Sequence, residues 1–228
     1  MLACVLAFVA GYVDVIGFAA LFGLFTAHVT GNFIMIGIAL TGKATGLLAK
    51  VLALPAFVIA VAATRLVESR MVKAGKAPVA LLLTAEAFFL LLFLVGLGES
   101  PITDPAAPSA IVTGLSAVVA MGIQNALSRT ALSELGPTTI MTGNTTQIII
   151  DCVDLPTATG AQREAILSRV RKMAPALAAF VAGAILGALI YLALSMWSVL
   201  VPVVLLVAVS IQAWRGTGNA VPGQGQDS

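Results

Sequence analysis

Between residues 2 and 24 the chain carries a single charged side chain, Asp14. A helix needs about 20 mostly apolar residues to cross the hydrocarbon core of a bilayer, and this stretch meets that requirement. Comparable stretches occupy 47–66, 78–97, 109–128 and 174–195, with a shorter one at 198–214. Only 10% of the 228 residues are charged and 60% are hydrophobic, whereas soluble domains carry roughly 25% charged residues. A soluble globule and a disordered chain are both excluded by that balance. Two cysteines do not make a disulfide scaffold. A formal net charge of +2 leaves no electrostatic footprint for nucleic acid. The expected architecture is an all-α polytopic membrane protein, a single transmembrane domain over 1–214. The end of the chain, 215–228, is rich in Gly and Gln and is expected to be a disordered tail. The first stretch begins with no basic lead and no small-residue cleavage site, so no cleaved signal peptide is expected.

Two shorter apolar runs, 29–41 and 141–151, are too brief to cross the bilayer as helices. They belong to an internal repeat. Val29-Thr30-Gly31-Asn32-Phe33-Ile34 is echoed by Met141-Thr142-Gly143-Asn144-Thr145-Thr146. Upstream, Gly11-Tyr12-Val13-Asp14 matches Gly122-Ile123-Gln124-Asn125. Downstream, Leu54-Pro55-Ala56 matches Ala174-Pro175-Ala176, each followed by an apolar helix. The order in each half is long helix, Thr-Gly-Asn run, long helix, helix. Repeat one spans 1–98 and repeat two 109–214, with an acidic, proline-rich loop at 98–108 between them.

Basic residues gather on the cytoplasmic side of short loops, which discriminates between threadings. If both short runs enter and leave on the same side, ten of the twelve basic residues lie in the cytoplasm, leaving only Lys43 and Lys50 outside. If both runs cross fully, the basic loops at 65–77 and 153–173 fall on opposite sides. The charge rule therefore selects six transmembrane helices plus two re-entrant half-helices. Three spans per half is an odd number, so the halves are inverted relative to each other. Both termini are then cytoplasmic.

In this threading each re-entrant run has an extended lead-in, 25–29 or 136–140, followed by a half-helix. Thr and Asn suit helix starts as N-caps. The two helix starts then meet near the bilayer midplane, a design that recurs in transporters. Free N–H groups at those starts must line a cavity or be packed in protein. Their dipoles favour anions or acceptor-rich solutes. The expected solute contacts are Asp14, Thr30, Gly31, Asn32, Asn125, Thr142, Gly143 and Asn144. A cap-and-turn motif that merely packs the halves together is the alternative use of the same residues.

These motifs resemble those of the YoaK-like family of bacterial integral membrane proteins, usually described as of unknown function. The likeness rests on Gly11-x-x-Asp14, on Phe25-Thr26-Ala27-His28-Val29-Thr30-Gly31-Asn32 with Gly37 following, and on Gly122-Ile123-Gln124-Asn125-Ala126. It covers the chain to about residue 214. The resemblance implies a multi-pass protein of the bacterial inner (plasma) membrane and carries no substrate. One departure is expected at the start, where a short basic segment would precede the first stretch. The design is also similar to that of aquaporin-like channels, which bring two Asn-bearing half-helices together, though the helix order differs.

Asp14 lies halfway along an apolar helix, where an intramembrane acid points to function or to a structural bond. Its repeat mate Asn125 is the neutral isostere. A proton relay of Asp14, His28 and Glu86 is one reading, since His titrates near neutral pH; Glu86 would otherwise snorkel or pair with Arg129. Gln124 and Gln147 either line a path or bond across helices. Gly183-x-x-x-Gly187 offers a small-residue face, for internal packing or for a second copy. Cys4 and Cys152 are expected as free thiols. No metal-ligand spacing, P-loop, nucleophile elbow or dinucleotide fingerprint is present, so no cofactor, metal or enzyme chemistry is expected. The expected partners are the lipid bilayer and a small-molecule or anion substrate, with no nucleic acid; six spans favour a homodimer. The function expected is a small-solute transporter or channel with coupling to protons through Asp14. A non-transporting membrane scaffold or sensor is the alternative.

Overall fold

The computed structural model describes residues 1–43, 45–98, 102–136, 138–139 and 141–218. Among them every regular element is helical: α1 (Leu2–Ala20), α2 (Gly31–Leu40), α3 (Leu47–Lys73), α4 (Val79–Gly98), α5 (Pro108–Arg129), α6 (Met141–Asp154), α7 (Gly160–Leu194) and α8 (Leu200–Gly218). Five helical stretches are long and apolar enough to cross a membrane. The last of these, Gly160–Gly216, is broken into α7 and α8 by the 3₁₀ turn Ser195–Val199. With the apolar exterior described below, this makes the chain a multi-pass membrane protein.

Several boundaries differ from the sequence reading. α1 stops at Ala20 rather than 24 because Phe22 and Gly23 take φ of 55° and 81°, which turns the chain back on itself. Gly adopts such a backbone without penalty, whereas Phe does so at a cost. The basic segments 65–77 and 153–173, expected as loops, are largely helix. α3 continues to Lys73 and α7 begins at Gly160, giving 27 and 35 residues. Arg, Lys, Glu, Leu and Met are good helix formers, and α3 ends only where Gly75 allows Lys76 N–H to bond Met71 C=O at 2.8 Å. The supposed tail also begins late, since α8 runs to Gly218; residues 219–228 lie outside the described residues.

The short helices α2 and α6 have 10 and 14 residues, or roughly 15 and 21 Å at 1.5 Å per residue. Neither reaches across a bilayer. Their starts differ. Thr30 occupies the N-cap position of α2 but makes no side-chain cap bond, whereas α6 already includes Thr142, Gly143 and Asn144 in its first turn. The lead-in 25–29 is a bent loop, not an extended strand. Of its counterpart 136–140, Pro137 and Ile140 lie outside the described residues.

α1 and α5 form the interior. Leu6, Val9, Ala10, Tyr12, Val13 and Ile16 of α1 and Ala117, Val118, Ala120 and Met121 of α5 are fully buried in one cluster that also takes in α4 and α8. α1 packs on α7, α5 on α3 and α4, and α4 on α8; α2 packs on α3 and α6 on α7. Gly183 and Gly187 serve this internal packing. A Cβ on Gly183 would collide with the Phe8 carbonyl oxygen, and one on Gly11 with that of Phe180. The α1 and α7 backbones therefore touch where only glycine permits it. Outward, the helices remain apolar: Ile59 is 67% exposed, Leu192 82% and Val204 62%. A surface of that kind belongs in lipid rather than water.

Candidate functional site

The turn after α1 brings the first half's polar residues together. Asp14 has turned its carboxylate onto the loop that follows its own helix. Oδ1 accepts the backbone N–H of Thr26 at 2.7 Å and of Ala27 at 2.8 Å, with the Thr26 hydroxyl at 3.3 Å. Oδ2 meets His28 Nδ1 at 2.7 Å. An apolar interior disfavours a carboxylate, and these donors replace the water it lost. The His28 ring is held on its other side by the Phe180 ring, edge-on at 5.4 Å. Asn32 closes the same loop, its Oδ1 accepting from Phe25 N–H at 2.9 Å and its Nδ2 donating to Phe25 C=O at 2.9 Å.

The second half makes a variation on this arrangement. Asn125 Oδ1 accepts the Thr139 hydroxyl at 2.7 Å, and Asn125 Nδ2 donates to Met121 C=O at 3.2 Å. Beside it, Gln124 Nε2 donates to Leu6 C=O at 2.9 Å and to the Thr138 hydroxyl at 3.2 Å. Gln124 thus bonds across from α5 to α1. Asn144 is buried, with Nδ2 3.9 Å from Met141 Sδ.

Both loops form the wall of one cavity of about 640 Å³. Ala27, His28, Val29 and Thr30 come from the first half, and Thr139, Met141 and Thr142 from the second. α3 contributes Leu54, Phe57, Val61 and Arg65, and α5 contributes Asn125, Ala126, Arg129 and Thr130. Asp14 lies behind the His28 side of this wall and faces a second, more open hollow of about 450 Å³ bounded by Gly11, Phe18, Phe25 and Phe180. His28 lines both.

Of the residues expected to meet a solute, Thr30, Asn125 and Thr142 line the cavity, as does His28. Asp14, Gly31, Asn32, Gly143 and Asn144 do not. Asp14 and Asn32 use their polar groups to hold the loop behind the wall. Gly31 packs under the Phe25 ring, and Gly143 has open space where a Cβ would stand. Glu86 is away from this group. It is fully buried, both carboxylate oxygens lack a hydrogen-bond partner, and it lines neither hollow. The expected Glu86–Arg129 pair does not form, because Glu86 faces the helix core while Arg129 turns to the cavity.

Sequence reasoning missed the two arginines as cavity residues: it used Arg65 only as a topological marker, and Arg129 as a marker and a candidate partner of Glu86. Arg129 follows Asn125 by one helical turn, a spacing that puts both on one face of α5. It also missed a second ion pair. The short helix α6 is tied to α7 by Asp151, whose Oδ2 accepts Arg169 Nε at 3.1 Å and whose Oδ1 accepts Gln147 Nε2 at 3.0 Å. Arg169, and secondarily Gln147, holds the Asp151 carboxyl below its usual range against the opposing effect of burial. Cys4 and Cys152 are both free thiols.

The model of a family described as protein of unknown function (DUF1275) matches residues 2–212, and the chain belongs to that family. No curated protein and no solved structure matches.

Proposed function

We propose that this chain, as a member of the DUF1275 family, is a small-solute transporter or channel. The observation that carries the reading is the shared cavity: Thr30 from one half and Thr142 from the other line the same space of about 640 Å³ with Asn125 and two arginines. A packed, dry junction between the halves would have favoured a scaffold. The residues that touch solute are Thr30, Asn125, Thr142 and His28, while Asp14, Asn32 and Asn144 shape the wall. The solutes are anions or neutral polar molecules, because the lining includes Arg65 and Arg129 and, among the described residues, no carboxylate.

Two inverted repeats of three spans each, six in all, suit this reading. The packing follows one pattern in both halves: across them α1 lies on α7 as α5 lies on α3, with α4 on α8, and within them α2 lies on α3 as α6 lies on α7. Ten of twelve basic residues then face the cytoplasm with both termini, in a bacterial plasma membrane and as a homodimer. The Asp14–His28 contact offers proton coupling. The same contact also favours the alternative, a non-transporting scaffold or sensor, since Asp14 and Asn32 are engaged within their own loop. Purified protein in liposomes decides between them. Flux of small anions or of glycerol and urea, lowered at least about tenfold by Thr30→Val with Thr142→Val, supports transport. Robust sodium or ammonium flux indifferent to that pair, or no flux of any solute, sinks it.

A further inference from the structure

The cavity combines apolar and cationic lining. Leu54, Phe57, Val61 and Met141 give it apolar wall, and Arg65 and Arg129 line it as well, one helical turn beyond Val61 and Asn125 respectively. The two guanidinium groups are not equivalent. Arg65 is half engaged, its Nη1 lying 3.2 Å from the buried Glu68 carboxylate. Arg129 has no acidic or hydrogen-bonding partner among the described residues, although it forms part of the wall. Among the described residues one positive charge in the lining is therefore uncompensated. A planar guanidinium offers paired donors that match a carboxylate.

We propose that the cavity takes an amphipathic organic monoanion. Its carboxylate is held by Arg129 with help from Arg65, and its apolar body lies against Leu54, Phe57, Val61 and Met141. This rests on the transport reading for its biological use but not for its binding. The volume falls within the about 300–1,000 Å³ typical of sites that enclose small organic ligands, far more than an inorganic ion requires. An apolar wall gains nothing from such an ion, whereas burying a ring or short chain against it is favourable. The hydroxyls of Thr30 and Thr142, which also line the cavity, provide for one further polar substituent. The same chemistry, one anionic head on an apolar body, also describes an anionic lipid. The free solute is favoured by the position of the head group, since both arginines share their wall with loop residues of both halves.

The test is equilibrium binding to the full-length protein in phosphatidylcholine nanodiscs, with 3-phenylpropionate as probe. Acetate, 3-phenylpropanol and 3-phenylpropylamine separate head from body and sign of charge. Binding of 3-phenylpropionate at least about tenfold tighter than any of the three is expected. Arg129→Gln should weaken it by about tenfold or more with an unchanged melting temperature, because Arg129 is exposed and unpartnered. Arg129→Lys should recover part of the loss, and Leu54→Asn should weaken phenylpropionate severalfold while leaving acetate alone. Equal binding of acetate or phenylpropanol, or indifference to Arg129→Gln, overturns the assignment. So does loss of binding when phosphatidylglycerol is included, which would identify a lipid head group as the occupant. The two readings fail separately: selective binding without flux leaves this site standing and removes transport, while flux of inorganic anions without phenylpropionate binding does the reverse.

Discussion

The carboxamide of Asn32 bonds both backbone polar groups of a residue seven positions earlier, accepting Phe25 N–H and donating to Phe25 C=O, each at 2.9 Å. In doing so it behaves as a strand partner would. The loop between α1 and α2 is too short to form its own ladder, and its polar backbone sits inside an apolar protein. A side chain that satisfies two such groups at once replaces secondary structure.

Asn32→Ala should therefore lower stability, leaving Phe25 N–H and C=O without partners at a cost of about 2–5 kcal/mol in total. Asn32→Asp keeps the acceptor but turns an oxygen toward the Phe25 carbonyl, and should be no better. Thermal unfolding in detergent measures this. An unchanged melting temperature would return Asn32 to the solute-contact role.

Asp14→Asn should fold, because a carboxamide oxygen still accepts the Thr26 and Ala27 N–H groups and Asn125 stands at the matching place in the second half. Its melting temperature should fall modestly, as charge-assisted bonds become neutral ones. Asp14→Ala removes the whole cluster and should be far less stable. If Asp14 couples protons, flux through the Asn variant loses its pH dependence; persistence of that dependence would place coupling elsewhere.

Glu86→Leu should leave both the fold and flux intact and raise stability by about 1 kcal/mol, since it replaces a buried carboxyl with two unpartnered oxygens by an apolar side chain. Calorimetry and liposome flux together check this. A loss of flux with normal folding would restore Glu86 to the relay.

Acid melting should carry the signature of Asp151. Its folded carboxyl is depressed by Arg169, so the stability it contributes is present above the ordinary aspartate value and is lost as pH falls through the folded one. Asp151→Asn should lower the melting temperature at neutral pH and flatten its decline in acid. Parallel acid profiles for the two proteins would contradict this.

Topology is checked by labelling in a Cys4→Ser, Cys152→Ser background. Lys76→Cys and Thr157→Cys, both exposed, should react from the same side of the membrane. Labelling from opposite sides would remove the re-entrant threading and the inverted repeat.

The amino-acid sequence alone determined the apolar stretches, because the cost of placing a charge in lipid is local and accumulates over about 20 residues. It also determined the existence of two short helices, since each Thr-Gly-Asn run is too brief to cross and is flanked by matching residues. Helix ends were less legible. The helix formers of 65–73 continue α3 where charge alone suggests a loop, and Phe22 ends α1 inside an unbroken apolar run. Which polar residues face a ligand was decided only by tertiary structure. Asp14 and Asn32 are distinctive in the chain yet bond to the loop folded over them, while Arg65 and Arg129, which look like topological markers, meet at one cavity because α5 packs on α3. That convergence depends on the packing of α3 on α5, which brings together residues more than sixty positions apart in sequence, and no local pattern encodes it.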